Sequence, residues 1–325
     1  MKIRPALQAH IKEAAQILRQ GGLVAFPTET VYGLGANAFD ALAVARIFEV
    51  KQRPEFDPLI IHLASPEETR LVWSDQPEMA KELIKQFWPG PLTLVYFKNK
   101  KIPDIVTAGL PTAAARMPDH PVALALLQEA ALPVAAPSAN LFGRLSPTTA
   151  EHVAEQLGSQ VDLILDGGKT PVGIESTVLD LTGDPTLLRP GGTPVEEIES
   201  VIGPIKIAST SSQPLSPGQL EHHYAPRTPL AIIKEPVQLP PGLKIGYLAF
   251  STPPPELNVV QVEILSPRRD LREAAANLFE ALHRLDQANL DLILAETFPE
   301  QGLGRAIMDR LRKAAGAHSP LKPAG

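Results

Sequence analysis

Apolar positions along the chain fall into two rhythms. Short runs at 23–26, 58–63, 92–97, 132–136 and 161–165 have the length and composition of buried strands. Between them, apolar residues recur at helical spacing, which predicts helices over 66–73, 77–87, 121–130, 148–157 and 194–202. The opening stretch, 1–18, interrupts its apolar pattern with His10, Lys12 and Glu13 and is closed by Gly21 and Gly22, so it reads as an amphipathic helix. Asp40 is placed to cap another helix, carrying Leu42, Val44, Ala45, Ile47 and Phe48 and ending before Pro54. Residues 174–181 alternate like a half-buried strand, and 187–192 closes the unit on Arg-Pro-Gly-Gly. Strands alternating with helices predict an α/β fold.

The composition then shifts. Between Lys206 and Arg227 the chain is rich in serine and proline, as a connector is. Beyond it, strands at 231–233, 244–250, 259–264 and 290–295 and helices at 270–286 and 304–315 make a small α/β unit without a catalytic constellation of its own. The expected organisation is a domain over 1–205, a linker over 206–227 and a second domain over 228–325, in keeping with a length of 325 residues.

Polar residues gather where the apolar runs end. Pro27 stops the first strand, and Thr28, Glu29 and Thr30 follow, two hydroxyls and a carboxylate at a strand end, where ligand sites of open α/β sheets lie. Gly33 and Gly35 permit positive φ or close backbone approach. Lys51 and Arg53 sit at the end of the Asp40 helix, where they either complement its dipole or hold an anion. His62 interrupts an apolar strand, as a satisfied core residue or a ligand. Arg116 ends a run of alanines, free to present its planar fork to a carboxylate or phosphate, or to pair with Asp119. After the strand at 132–136, Ser138, Asn140 and Ser146 offer hydroxyls and an amide suited to sugar or phosphate oxygens, or to a turn of their own.

Several classes are excluded. There is no cysteine, which removes disulfides, thiolate nucleophiles and cysteine metal sites. A net charge of −6 argues against a chain whose main task is gripping a nucleic-acid backbone, so any anion site must be local. No run approaches the roughly 18 apolar residues of a membrane span, and no signal peptide is evident, so a soluble, cytoplasmic protein is expected. Gly168-Lys169-Thr170 is not a phosphate loop, since the glycine required five places earlier is Leu163. Gly33 to Ala38 mimics a dinucleotide fingerprint, but Pro27 and a polar turn separate it from the strand that should run into it. His222-His223 has no acidic or cysteine partners nearby to share a metal.

PTETVYGLGANAF, followed by K-x-R-P and P-L-I-I-H, resembles the threonylcarbamoyl-AMP synthases of the YrdC-like family, and so do WPGPLTLV, P-S-A-N and the S-P-G-x-x-x-x-H-Y-A-P linker of its longer members. The resemblance implies a YrdC-like twisted mixed sheet flanked by helices with a concave active-site face, plus a second, smaller Rossmann-like α/β accessory domain. It implies synthesis of threonylcarbamoyl-AMP and pyrophosphate from L-threonine, bicarbonate or CO2 and ATP, for modification of tRNA position 37. Downstream threonylcarbamoyl transferase proteins would then deliver the group to tRNA. Lys51 and Arg53 are expected in catalysis. Thr30, His62, Arg116, the Ala136 backbone and Ser176 are expected on L-threonine, and Arg53, Asp57, Thr112, Ser138, Ser146, Arg189 and Tyr224 on ATP, with Asn140 added on its chemistry. Magnesium is expected to arrive with ATP, since no carboxylate cluster stands out. The family usually has asparagine where this chain has Asp57, so either the carboxylate faces magnesium or this part of the ATP site differs. A non-catalytic RNA-binding module of the same fold is the alternative.

Overall fold

The computed structural model describes residues 2–208, 223–233, 242–253 and 259–316. The Ser216-Pro217-Gly218 portion of the connector and His222 lie outside the described residues.

The first part of the chain opens with β1 (Ile3–Pro5), α1 (Gln8–Arg19), β2 (Val24–Phe26), β3 (Gly33–Asn37), α2 (Ala41–Lys51) and β4 (Ile60–His62). It continues through α3 (Thr69–Val72), α4 (Glu78–Phe87), β5 (Leu92–Phe97), β6 (Thr112–Arg116), α5 (Pro121–Ala130) and β7 (Val134–Ala135). It closes with α6 (Ala150–Leu157), β8 (Leu163–Asp166), β9 (Thr177–Asp180), β10 (Thr186–Arg189), α7 (Val195–Ile202) and β11 (Lys206–Ile207). These strands form one mixed, eleven-stranded sheet in the order β1-β8-β2-β3-β7-β4-β6-β5-β9-β10-β11. The second part holds β12 (Leu230–Ile233), β13 (Ile245–Ala249), β14 (Gln261–Ile264), α8 (Leu271–Gln287), β15 (Leu292–Glu296) and α9 (Leu303–Gly316). Its strands make an all-parallel sheet in the order β12-β15-β13-β14.

Alternation along the strands decides what each face of the large sheet does. Ala25, Ile61, Ala115 and Leu179 point to one face and share a core with Ile47 of α2 and Leu83 of α4. Val24, Phe26 and Leu165 point to the other, where α1 and α5 cover them with Leu18 and Leu126. That second face continues past these helices as a separate apolar strip, Ile60, Val95, Ala114, Val178 and Leu188, with Ala208 packed on it. His62 and Arg116 project from the same face as this strip, and they mark the candidate functional region.

The structure departs from the sequence-based expectation in three places. Residues 3–5, expected in the first helix, are an edge strand paired in parallel with β8. Gly33–Asn37, for which no strand was expected, is a strand antiparallel to β2. Its glycine is there for close approach: a Cβ on Gly35 would lie 2.8 Å from both the Phe26 ring and Val134. The dinucleotide fingerprint therefore falls, because no glycine loop opens the following helix. The expected strand at 174–181 shortens to β9, which turns back antiparallel into β10. Asp40 does cap α2, accepting from the backbone N–H groups of Leu42 and Ala43 at 3.0 and 3.2 Å.

Candidate active site

His62 and Arg116 are register neighbours at the ends of β4 and β6. The Arg116 fork, buried in its own pocket, donates to Glu29 at 2.9 Å, Thr30 Oγ1 at 3.0 Å and His62 Nε2 at 3.1 Å. Thr28 Oγ1 lies 2.8 Å from Thr30 Oγ1 and donates to the Val31 carbonyl, so the turn after β2 is knit onto the arginine. Asp119, weighed above as the arginine's partner, instead donates its backbone N–H to Glu29 at 3.1 Å. Because an Arg116 N–H points at Nε2, that nitrogen must be the acceptor, and the proton sits on Nδ1, which has no partner among the described residues. Burial and the adjacent guanidinium hold His62 well below the usual imidazole range, which keeps it neutral. Burial raises the Glu29 carboxyl, and Arg116 pulls it back in part.

A second wall comes from the end of α2. Gln52 takes a left-handed conformation with φ 52° and turns the chain so that Arg53 leaves the helix toward the cleft. Arg53 lies 2.8 Å from the Asp57 carboxylate and donates to the Asp57 and Pro58 carbonyls. Burial raises Asp57 against the pull of Arg53 and Lys51. Lys51 is turned away from the cleft: its ammonium donates to the Ser138 and Asn140 carbonyls at 2.6 and 2.5 Å, fastening the loop after β7 from behind. Burial and the charge of Arg53 hold Lys51 well below its ordinary range.

The third wall is built by residues on either side of β9 and by the chain beyond the connector. Arg189 donates to the Ser176 carbonyl at 3.1 and 2.9 Å and to its hydroxyl at 3.2 Å, while Thr93 Oγ1 lies 2.7 Å from the same hydroxyl. Glu175 accepts from the Ser146 hydroxyl and, at 2.8 Å, from Arg310 of α9. Burial pushes the Glu175 carboxyl up, but Arg310, Arg189 and the Ser146 hydroxyl outweigh it and hold it below the usual carboxylate range. Tyr224 is buried, with its ring 4.1 Å from that of His223 and the Arg310 guanidinium 4.9 Å above it. Burial pushes its phenol up to about 12.

These walls enclose a cleft of about 500 Å³ when the solvent space at its open side is counted. Of the residues singled out in the sequence, Thr28, Thr30, Gly33, Arg53, His62, Arg116, Ala136, Ser138, Ser176, Arg189 and Tyr224 line it. The others lie elsewhere. Lys51 and Ser146 stand one layer behind, and Asp57 faces Arg53. Asn140 spends its amide donors on the Leu141 and Arg144 carbonyls. Thr112 shares a face of β6 with Arg116 but lies four residues away, about 13 Å along the strand. Sequence reasoning missed Glu175, which carried no motif beyond its place before Ser176, and Arg310, one of several basic residues on an amphipathic helix. His223 was weighed only as a metal ligand; it lines the cleft.

A family model described as "Telomere recombination" matches residues 16–191, and one described as "Threonylcarbamoyl-AMP synthase, C-terminal domain" matches residues 193–316. The chain is 48% identical to a Bacillus subtilis threonylcarbamoyl-AMP synthase, covering 94% of this chain and 93% of that one. It is 46% identical to the Pyrococcus abyssi threonylcarbamoyl-AMP synthase, with 94% of each chain covered. The crystal structure of P. abyssi Sua5 complexed with L-threonine superposes with a TM-score of 0.90 at 44% identity, over 97% of both chains. With two family models in tandem and relatives matched almost end to end, the chain belongs to the threonylcarbamoyl-AMP synthase family, in its two-domain form.

Proposed function

We propose that the protein is a nucleotidyltransferase that makes threonylcarbamoyl-AMP and pyrophosphate from L-threonine, bicarbonate or CO2 and ATP. The observation that carries this reading is the convergence of Arg53, Arg116 and Arg189 with Thr30, His62 and Ser176 on one cleft in a chain of net charge −6. The names of the relatives, and the L-threonine in the P. abyssi structure, support the same reading.

The chemistry asks more for positioning than for proton transfer. Threonine's amine adds to bicarbonate or CO2 to give a carbamate, with water lost in the bicarbonate case. A carbamate oxygen then attacks the α-phosphorus in line, a P–O bond to pyrophosphate breaks, and a mixed anhydride remains. Holding both reactants together contributes about 7 to 11 kcal/mol in the best cases. Arg116, with three of its donors spent on Glu29, Thr30 and His62, has others to offer a carboxylate. The neutral His62 offers Nδ1–H, and the Ser176 hydroxyl, which lines the same cleft, is assigned to the amino-acid side. Arg53, Arg189, Ser138 and Tyr224 belong to the nucleotide side, where fixed cations and donors stabilise charge shifting onto the leaving pyrophosphate. Magnesium enters as part of MgATP. The product would pass to tRNA through downstream transferase proteins in the cytoplasm; no described helix is long and apolar enough to cross a membrane.

The test is incubation with MgATP, bicarbonate and a panel of amino acids, with pyrophosphate as the readout. Release that depends on both threonine and bicarbonate is expected. No release, together with salt-dependent retention of RNA, would replace this reading with that of an RNA-binding module.

A further inference from the structure

The connector and the second part of the chain do more than flank the cleft. Val31, Leu145 and Ile174, which belong to the large-sheet unit, share one core with Tyr224 and with Leu278 and Phe279 of α8 and Ile307 and Leu311 of α9. From α9, Arg310 reaches the inner wall with a side chain entirely shielded from solvent. Its Nε donates to Glu175 at 2.8 Å, its Nη1 to the Pro190 carbonyl at 2.9 Å and to Asp309 at 2.6 Å, and its guanidinium covers the Tyr224 ring. Two of these contacts bear on cleft-lining residues, Glu175 and Tyr224. Tyr224 moreover holds a left-handed φ of 62°, which a non-glycine residue keeps only where its surroundings over-determine it. Those surroundings are His223, Phe279 and Arg310.

We infer that Arg310 is a positioning residue for the nucleotide half of the cleft, neutralising Glu175 and clamping Tyr224 from the second domain. The physical reason is charge. Glu175 faces a cleft proposed to receive a triphosphate; with Arg310 in place it is one half of an ion pair, and without it a carboxylate left with only Arg189 and the Ser146 hydroxyl, which repels the ligand. The Ser146 hydroxyl hangs on the same carboxylate, so the arginine orders both. The amino-acid half, held by Arg116, Thr30, His62 and Ser176, makes no hydrogen bond with Arg310 among the described residues. The signature is therefore asymmetric between the two substrates. This inference rests on the reading that ATP and threonine share the cleft.

The experiment is calorimetric titration of the full-length chain with MgATP and, separately, with L-threonine. Arg310→Met should weaken ATP about tenfold or more while moving threonine affinity less than about twofold. Adding Glu175→Gln to Arg310→Met should recover most of the lost ATP affinity, because the repelling charge is gone; a purely structural role for the arginine predicts a further loss instead. If Arg310→Met does not fold, Arg310→Lys carries the test: it keeps the charge but cannot span Glu175 and Pro190 together, and should weaken ATP about threefold with threonine unchanged. ATP affinity equal to wild type in the folded variant, or equal losses for both substrates, overturns the inference. A wild-type chain that binds no ATP and releases no pyrophosphate overturns the functional reading and this inference with it. A wild-type chain active in both assays isolates failure to Arg310 alone.

Discussion

Replacing Arg116 by methionine separates the wall it holds from the substrate that, on the proposed function, it also holds. In the sequence a run of alanines leaves the Arg116 side chain with few competitors, free to present its fork. The structure instead buries Arg116 and Glu29 together, each 3% exposed, at 2.9 Å. Methionine fills the volume but strands the carboxylate, and removing one partner of a buried pair costs about 3 to 5 kcal/mol. In a unit of this size 1 kcal/mol moves Tm by about 2 to 4 °C, so Tm should fall by about 6 to 20 °C. The loss depends on pH. Glu29 already has a raised carboxyl pKa, and without the guanidinium it rises further. A carboxyl whose folded pKa exceeds its unfolded one leaves stability intact at pH below the unfolded value, and stability falls as pH climbs from there toward the folded value. The variant should thus lie closer to wild type at about pH 5 than at about pH 8. Differential scanning calorimetry at both values, with threonine titration of the folded variant, reads the outcome. An equal Tm deficit at both pH values, with threonine affinity retained, would refute the argument.

Three further outcomes follow from the geometry. A Cβ on Gly191 would sit 2.3 Å from the Glu175 carbonyl oxygen and from the Ser176 carbonyl carbon, backbone that cannot swing aside, so Gly191→Ala should displace Ser176; activity should fall by more than about tenfold while most of the melting temperature survives, and unchanged turnover would count against it. Asp57→Asn should lower Tm, since it strands the buried Arg53, yet tighten ATP several-fold by releasing that cation; weaker ATP binding would instead place Asp57 on the nucleotide's magnesium. The stacked rings of His152 and His283, 3.8 Å apart, are held neutral by burial, each down to about 4, so stability is full above pH 6.5 and lost as pH falls toward 4. His283→Phe should flatten that acid limb by up to about 3 kcal/mol, measured by urea melts across the range, and an unchanged limb would show that other groups carry it.

What was legible in the sequence was whatever a short segment settles by itself. Asp40 announces its helix because the cap and the first turn are neighbours, and the strand runs ending in Pro27, His62, Arg116 and Ala136 announce their own ends. The cleft follows from those ends lying side by side, which is why most of the expected residues arrive in one place. What was not legible depends on partners far along the chain. Gly33 to Asn37 has the composition of a turn, and only the Phe26 ring and Val134 crossing above Gly35 make glycine the residue a strand needs there. The partner of Glu175 stands 135 positions away.

Asp57 shows the same limit in its chemistry. Read alone, a carboxylate in place of an asparagine adds negative charge to a phosphate site. In the fold each such carboxylate is matched: Asp57 with Arg53, Glu29 with Arg116 and Glu175 with Arg310. Pairing lets the protein bury several cations at and behind one small cleft without their mutual repulsion opening it, because each carries a counter-charge within ion-pair distance. The cleft's affinity for anions is then set by the geometry of the pairs rather than by the count of arginines. That is why, on the proposed function, a substitution on the carboxylate side is expected to change nucleotide affinity as directly as one on the arginine side, and with the opposite sign at Asp57.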